Sequence, residues 1–199
     1  MKNRLKLELL REIGEIDFKS CKNPLLLLLA LINSFMEENK LGKLIIVGGY
    51  AVELYTGGGY HTGDIDIIVE GNSHFLEDIL NIICEKPSRV WIPKDKVLAL
   101  KAIDIVSSVY GSRRKSPLRL EVDRYWIYIA PPEEVVISCL KACKYWESDI
   151  DCEKAAMVMA AQWNKIDWRY LEEKAATEKI APLLQKIKAT VEEVVKELS

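Results

Sequence analysis

Residues 64–69 read Asp-Ile-Asp-Ile-Ile-Val, two carboxylates set one residue apart at the head of an apolar run. Side chains on a strand alternate with period 2, so Asp64 and Asp66 share one face while Ile65 and Ile67 take the other, toward a core. Two like charges side by side are unfavourable unless something positive sits between them. A divalent cation meets that need, and hard carboxylate oxygens suit Mg²⁺ or Mn²⁺. The chain therefore has to build a sheet in which this strand carries a polar site on one face and core on the other.

What precedes the aspartates sharpens the reading. Leu44 to Val47 is a short apolar run of strand type. Gly48 and Gly49 turn the chain into a short helix over about 50–55, and a glycine-rich loop follows from Thr56 to Gly63. Backbone N–H groups at a helix N-terminus favour a phosphate by geometry and by the helix dipole. Phosphate cradle and metal carboxylates thus meet in one stretch. The glycines lack the spacing of a dinucleotide-binding fingerprint, and an acidic pair follows instead.

A metal pair for phosphoryl chemistry usually has a third carboxylate. Asp104 is the candidate: it is a lone charge within Ile103-Asp104-Ile105-Val106, where an unpaired carboxylate is costly. Glu121 and Asp123, which alternate on the next strand, are held in reserve and read more readily as a solvated edge. Lys141 and Lys144 lie three apart on one helical face, suited to a triphosphate. Arg113, Arg114 and Lys115 form a loop cluster that reads first as solvated charge and second as an acceptor contact. His61 lies close in sequence to the aspartates; Tyr50 and Tyr60 are stacking candidates no better than packing ones. Trp126, Trp146, Trp163 and Trp168 read as packing residues.

Gly48-Gly49 followed by Asp64-x-Asp66, with Asp104 on a later strand, resembles the nucleotidyltransferase superfamily related to DNA polymerase beta. Val47-Gly48-Gly49-Tyr50-Ala51-Val52, Gly57 and Thr62-x-Asp64-Ile65-Asp66-Ile67 are similar to its small prokaryotic branch. That branch holds minimal nucleotidyltransferases and the toxin partners of abortive-infection pairs. Ala130 to Lys141, a proline-led helix carrying a lysine after the last strand, resembles the same branch. The resemblance covers about residues 40–165. It implies that Gly48, Gly49, Thr62 and Lys141 bind the nucleotide. It makes Asp64, Asp66 and Asp104 the catalytic, metal-holding set, with Asp104 also helping to deprotonate the attacking hydroxyl. Two departures stand out: Gly49 replaces the serine often found after the first glycine, and His61, preceded by Tyr60, replaces a basic residue before the threonine.

The expected fold is α/β (α+β), a short mixed sheet with helices on one side and a C-terminal helical part. Its parts are N-terminal helices over 1–39 packing on the core, an α/β core over 40–130, and helices over 131–199. Helices are expected over 2–17, 24–39, 74–84, 132–146, 151–163, 168–177 and 181–198, with Ser73 as an N-cap. Strands are expected over 44–47, 64–69, 90–92, 97–107 and 118–129. With 199 residues, about half of them apolar, such a core is affordable. The net charge of −2 carries no global nucleic-acid signal. Five cysteines without zinc-type pairing read as reduced, buried thiols in a cytoplasmic chain. The charged start lacks a leader's apolar core, and Leu25 to Ile32 is too short to span a membrane. The expected function is metal-dependent transfer of a nucleotidyl group from an NTP to a hydroxyl of a protein, an RNA or a small molecule, with an antitoxin-type partner possible. A non-catalytic nucleotide- or partner-binding module of the same fold is the alternative.

Overall fold

The structure, a computed structural model, describes residues 2–112 and 114–197. In chain order its elements are α1 (Lys2–Gly14), α2 (Pro24–Glu38), β1 (Gly42–Val47), α3 (Gly48–Tyr55), β2 (Asp64–Gly71), α4 (Ser73–Ile83), β3 (Cys84–Glu85), β4 (Ile92–Pro93) and β5 (Ala102–Ser107). They continue with β6 (Leu118–Val122), β7 (Tyr125–Ile129), α5 (Pro132–Tyr145), α6 (Asp149–Ala161), α7 (Trp168–Thr177) and α8 (Ala181–Glu197). They form two compact units that interleave along the chain. One holds residues up to 47, with 62–113 and 117–129; the other holds 48–61, 114–116 and 130 onward.

The first unit is built on a five-stranded mixed sheet of order β5-β2-β1-β7-β6. β1 pairs antiparallel with β2 and parallel with β7; β2 pairs parallel with β5. Gly42 and Gly71 face each other where β1 meets β2, so closely that a Cβ on Gly42 would stand 2.1 Å from the Glu70 carbonyl oxygen. α2 is apolar all round and is buried from Pro24 to Met36, as such a helix must be. Within that buried stretch, Asn33 and Ser34 stitch the helix to the sheet. Asn33 donates to the Trp126 carbonyl (2.9 Å) and accepts from the Leu44 N–H (2.7 Å). Ser34 accepts from the Trp126 N–H (2.9 Å). One turn on, Glu37 accepts from the Tyr128 hydroxyl at 2.8 Å and from the Trp126 indole; burial first, and this carboxylate second, push the Tyr128 phenol up.

Three local expectations are corrected. Residues 97–101 are turn rather than strand, because the Asp95 carboxylate accepts the Val97 N–H (2.8 Å) and the Asp95 carbonyl accepts those of Leu98 and Ala99. The single strand over 118–129 is a hairpin, β6–β7, turned at Asp123 in the left-handed region (φ 57°), which aspartate tolerates. Its outer strand carries Glu121, paired with Arg119 at 2.7 Å on the exposed edge. The N-cap of α4 is Asn72, not Ser73: the Asn72 side chain accepts the Phe75 N–H.

The second unit is helical. The turn over 146–148 folds α6 back along α5 and brings Cys143 within 5.0 Å (Cα–Cα) of Cys152, nine residues on, as a disulfide. This corrects the expectation that all thiols are reduced. Cys139, one turn before Cys143, stays free, and burial pushes its thiol up to about 12. Closing so short a loop is worth about 2.5 kcal/mol in the chain-entropy model. Thiol titration of the denatured, unreduced protein is expected to count Cys21, Cys84 and Cys139, and all five cysteines after reduction. A full count before reduction would disprove the bridge. Trp146, at the end of α5, is 81 % exposed and is not the packing residue expected.

At the start of α5, Glu133 and Glu134 are both buried. Lys115 donates its ammonium to Glu133 (2.9 Å) and Asp167 (3.4 Å), and its backbone N–H to Glu134 (3.0 Å). The Tyr170 hydroxyl also donates to Glu134. Burial, and then this carboxylate, hold the Tyr170 phenol up at about 12 against an ordinary 10.0. Burial alone would lower Lys115, but its bonds to Glu133 and Asp167 hold it above its usual range. Folded protein therefore keeps protons that unfolded chain releases above about pH 10, so stability falls as pH rises from there toward about 12. Tyr170→Phe is expected to flatten that fall in thermal melts taken across this interval. An unchanged alkaline slope would remove Tyr170 from the account.

Among the described residues no helix is long and apolar enough to cross a membrane.

Candidate active site

The sheet brings the three aspartates of the sequence reading onto one face. β2 and β5 run parallel with Asp64 level with Ala102 and Asp66 level with Asp104. Asp64 and Asp66 alternate with Ile65 and Ile67, both fully buried, so the strand divides between carboxylate and core as its pattern requires. Val47, the last residue of β1, is level with Asp66 on the other side. The chain passes directly from Val47 to Gly48.

Asp64 accepts the Thr62 hydroxyl (2.9 Å), and the Lys101 ammonium donates to the Thr62 carbonyl. Asp104 is 4 % exposed, a buried carboxylate on the sheet's edge strand. Its Oδ2 lies 2.6 Å from Arg89 Nη2 in an ion pair, yet receives no directed hydrogen bond. A cleft of about 380 Å³ opens over it, lined by Glu77, Lys86, Arg89, Trp91, Asp104 and the start of the outer half of β5. Trp91 is held there by backbone hydrogen bonds to Ile103 in both directions and by its indole N–H to Asn81 (3.0 Å).

In the helical unit Gly48 opens α3 with φ 61°, a conformation that glycine adopts at no steric cost. Gly49 follows as the next helical residue. Tyr50 is buried, which favours packing over stacking. His61 is exposed, with Nδ1 3.7 Å from Glu53. Lys141 is paired with Glu178 (2.7 Å), which is held below the usual carboxylate range first by that hydrogen bond. Lys144 donates to the Lys179 carbonyl. Of the loop cluster, Lys115 is half-buried and pairs its ammonium with the buried Glu133, and Arg113 lies outside the described residues.

The family model described as "Nucleotidyltransferase of unknown function (DUF6036)" matches residues 23–197. The chain belongs to this family. It is a nucleotidyltransferase. Among solved structures, this nucleotidyltransferase is similar to the solution structure of the antibiotic-resistance factor ANT(2″)-Ia. That match has 12% identity and a TM-score of 0.45, over 99% of this chain and 100% of that one. It is also similar to a crystal structure of ANT(2″)-Ia in complex with adenylyl-2″-tobramycin, at 12% identity and a TM-score of 0.43 over 78% of this chain and 91% of that one. A search of curated proteins finds no match.

The donor set of the nucleotidyltransferase fits a hard divalent cation in chemistry. All the candidate ligands are carboxylates on one sheet face, and the buried Oδ2 of Asp104 lacks a hydrogen-bond donor. Among the described residues no three acidic, histidine or cysteine side chains already converge as a finished cation site. Sequence reasoning missed Arg89 and Lys101. Lys101 stands immediately before Ala102, the residue level with Asp64, and was legible once β5 was placed; Arg89 lies in an irregular loop with no periodicity to mark it.

Proposed function

We propose that the protein transfers a nucleotidyl group from an NTP to a hydroxyl acceptor, with Asp64, Asp66 and Asp104 as the carboxylates that hold Mg²⁺ or Mn²⁺. The observation that supports this is the register of β2 against β5, which sets Asp104 level with Asp66. A divalent cation there would supply charge neutralisation for the triphosphate and lower the pKa of the acceptor hydroxyl. Thr62 orients Asp64 through its hydroxyl. Asp104 is assigned to help deprotonate the acceptor hydroxyl, as the resemblance to the nucleotidyltransferase superfamily implies. Gly48, Gly49, Thr62 and Lys141 are assigned to the nucleotide; for Lys141 this means exchanging Glu178 for phosphate. The acceptor is a hydroxyl of a protein side chain, an RNA 3′ end or a small molecule. A cytoplasmic setting and an antitoxin-type partner belong to the same reading and rest on the resemblance to the small prokaryotic branch.

The Arg89–Asp104 ion pair favours a second reading, a non-catalytic module in which arginine has taken the cation's place. Calorimetric titration of ATP, GTP, CTP and UTP with Mg²⁺ or Mn²⁺ separates the two. Metal-dependent binding of an NTP, lost in an Asp64→Ala/Asp66→Ala double variant, is the expected result. Absence of binding with either metal would favour the module.

A further inference from the structure

The ion pair over β5 joins unequal partners. The Asp104 side chain is 5 % exposed, whereas that of Arg89 is 80 % exposed and hangs from the irregular segment between β3 and β4. Nη2 approaches Oδ2 to 2.6 Å without making a directed hydrogen bond to it. A buried carboxylate needs a counter-charge, so something positive has to stand at this oxygen. The arginine, by contrast, loses little by leaving: most of its side chain is already in water, and the cleft of about 380 Å³ gives it room. Lys86, on the same cleft, does not substitute for it; its ammonium lies 3.6 Å from the centre of the Trp91 ring.

We infer that Arg89 is an exchangeable counter-ion, which neutralises Asp104 in metal-free protein and gives up the carboxylate to a divalent cation. The inference rests on Asp104 being a metal ligand, as proposed above. A guanidinium and a divalent cation at one carboxylate repel each other, so the two occupancies compete. The measured metal affinity then includes the work of displacing Arg89, and removing the arginine removes that work. Arg89 is a positioning residue for Asp104, acting on metal uptake rather than on the reacting atoms.

The test is Mn²⁺ calorimetry on the full chain, with and without a non-hydrolysable ATP analogue, for wild type, Arg89→Ala, Arg89→Gln and Asp104→Asn. Thermal melts in EDTA and in saturating Mn²⁺ accompany it. Arg89→Ala is expected to bind Mn²⁺ roughly tenfold tighter, the scale of one strong partly buried ion pair. It is also expected to melt lower than wild type in EDTA, with the gap closing in Mn²⁺. Arg89→Gln, which keeps much of the side chain's bulk, is expected to follow it and guards against a collapse of the loop. If both arginine variants bind Mn²⁺ no tighter than wild type while Asp104→Asn weakens binding, the exchange is wrong and the metal ligand stands. If Asp104→Asn binds as wild type does, or wild type binds no Mn²⁺, the inference falls together with the metal reading.

Discussion

Asp66→Asn is expected to lower nucleotidyl transfer by about a thousandfold or more while leaving the fold intact. The substitution preserves side-chain size but removes the charge at the point of the sheet where Val47, Asp66 and Asp104 stand level on adjacent strands. Nothing on the core side is touched, because Ile65 and Ile67 carry the burial of this strand. The substitution leaves the apolar face of β2 unchanged, so the melting temperature in EDTA should hold within a few degrees. Loss of activity combined with such a melting temperature is a signature that a structural role for Asp66 does not produce. Steady-state turnover, Mn²⁺ binding and melts on the same preparation provide the three readouts. Retention of activity within about tenfold of wild type would move the metal site elsewhere.

The largest expected effect on stability comes from a residue with no part in the chemistry. Asn33→Ala is expected to cost about 2–4 kcal/mol in urea unfolding. Asn33 is fully buried in α2 and bonds the backbones of both β1 and β7. These strands are parallel neighbours in the middle of the sheet. Truncation leaves the Leu44 N–H with no acceptor from Asn33 and takes one donor from the Trp126 carbonyl, which keeps the Ser34 hydroxyl at 3.3 Å. The orphaned donor sets the larger part of the cost, because a buried N–H without a partner keeps its full desolvation penalty. Asn33→Leu, which restores volume but not the hydrogen bonds, should recover less than half of the loss. A cost below about 1 kcal/mol would mean that apolar packing of α2 alone holds the helix to the sheet.

Alternation and punctuation were legible before any coordinate. A continuous apolar run announced β1, and apolar runs carrying Asp64 and Asp66 or Asp104 announced β2 and the centre of β5; Pro24 and Pro132 marked helix starts; and the Asp64–Asp66 spacing forced a shared face. Where the reading slipped, a side chain had competed with the backbone pattern. Asp95 bent a segment that composition allows as strand, Asp123 folded one strand into two, and Asn72 capped α4 one residue before the serine expected to do so. These are short-range effects whose outcome depends on which of several adjacent polar residues captures an N–H, and periodicity carries no information about that choice.

The sequence by itself determined that Asp64 and Asp66 share a face, that glycines precede them at a helix start, and that Asp104 is a charge in an apolar strand, because these follow from spacing along one chain. Only the tertiary structure decided that Asp104 stands level with Asp66, that Arg89 meets it, that Lys141 is spent on Glu178, and that Cys143 finds Cys152. Each of these joins residues whose proximity is set by strand register or helix packing. Register is fixed by burial of whole faces and turn geometry across the sheet, a collective property that no local window contains.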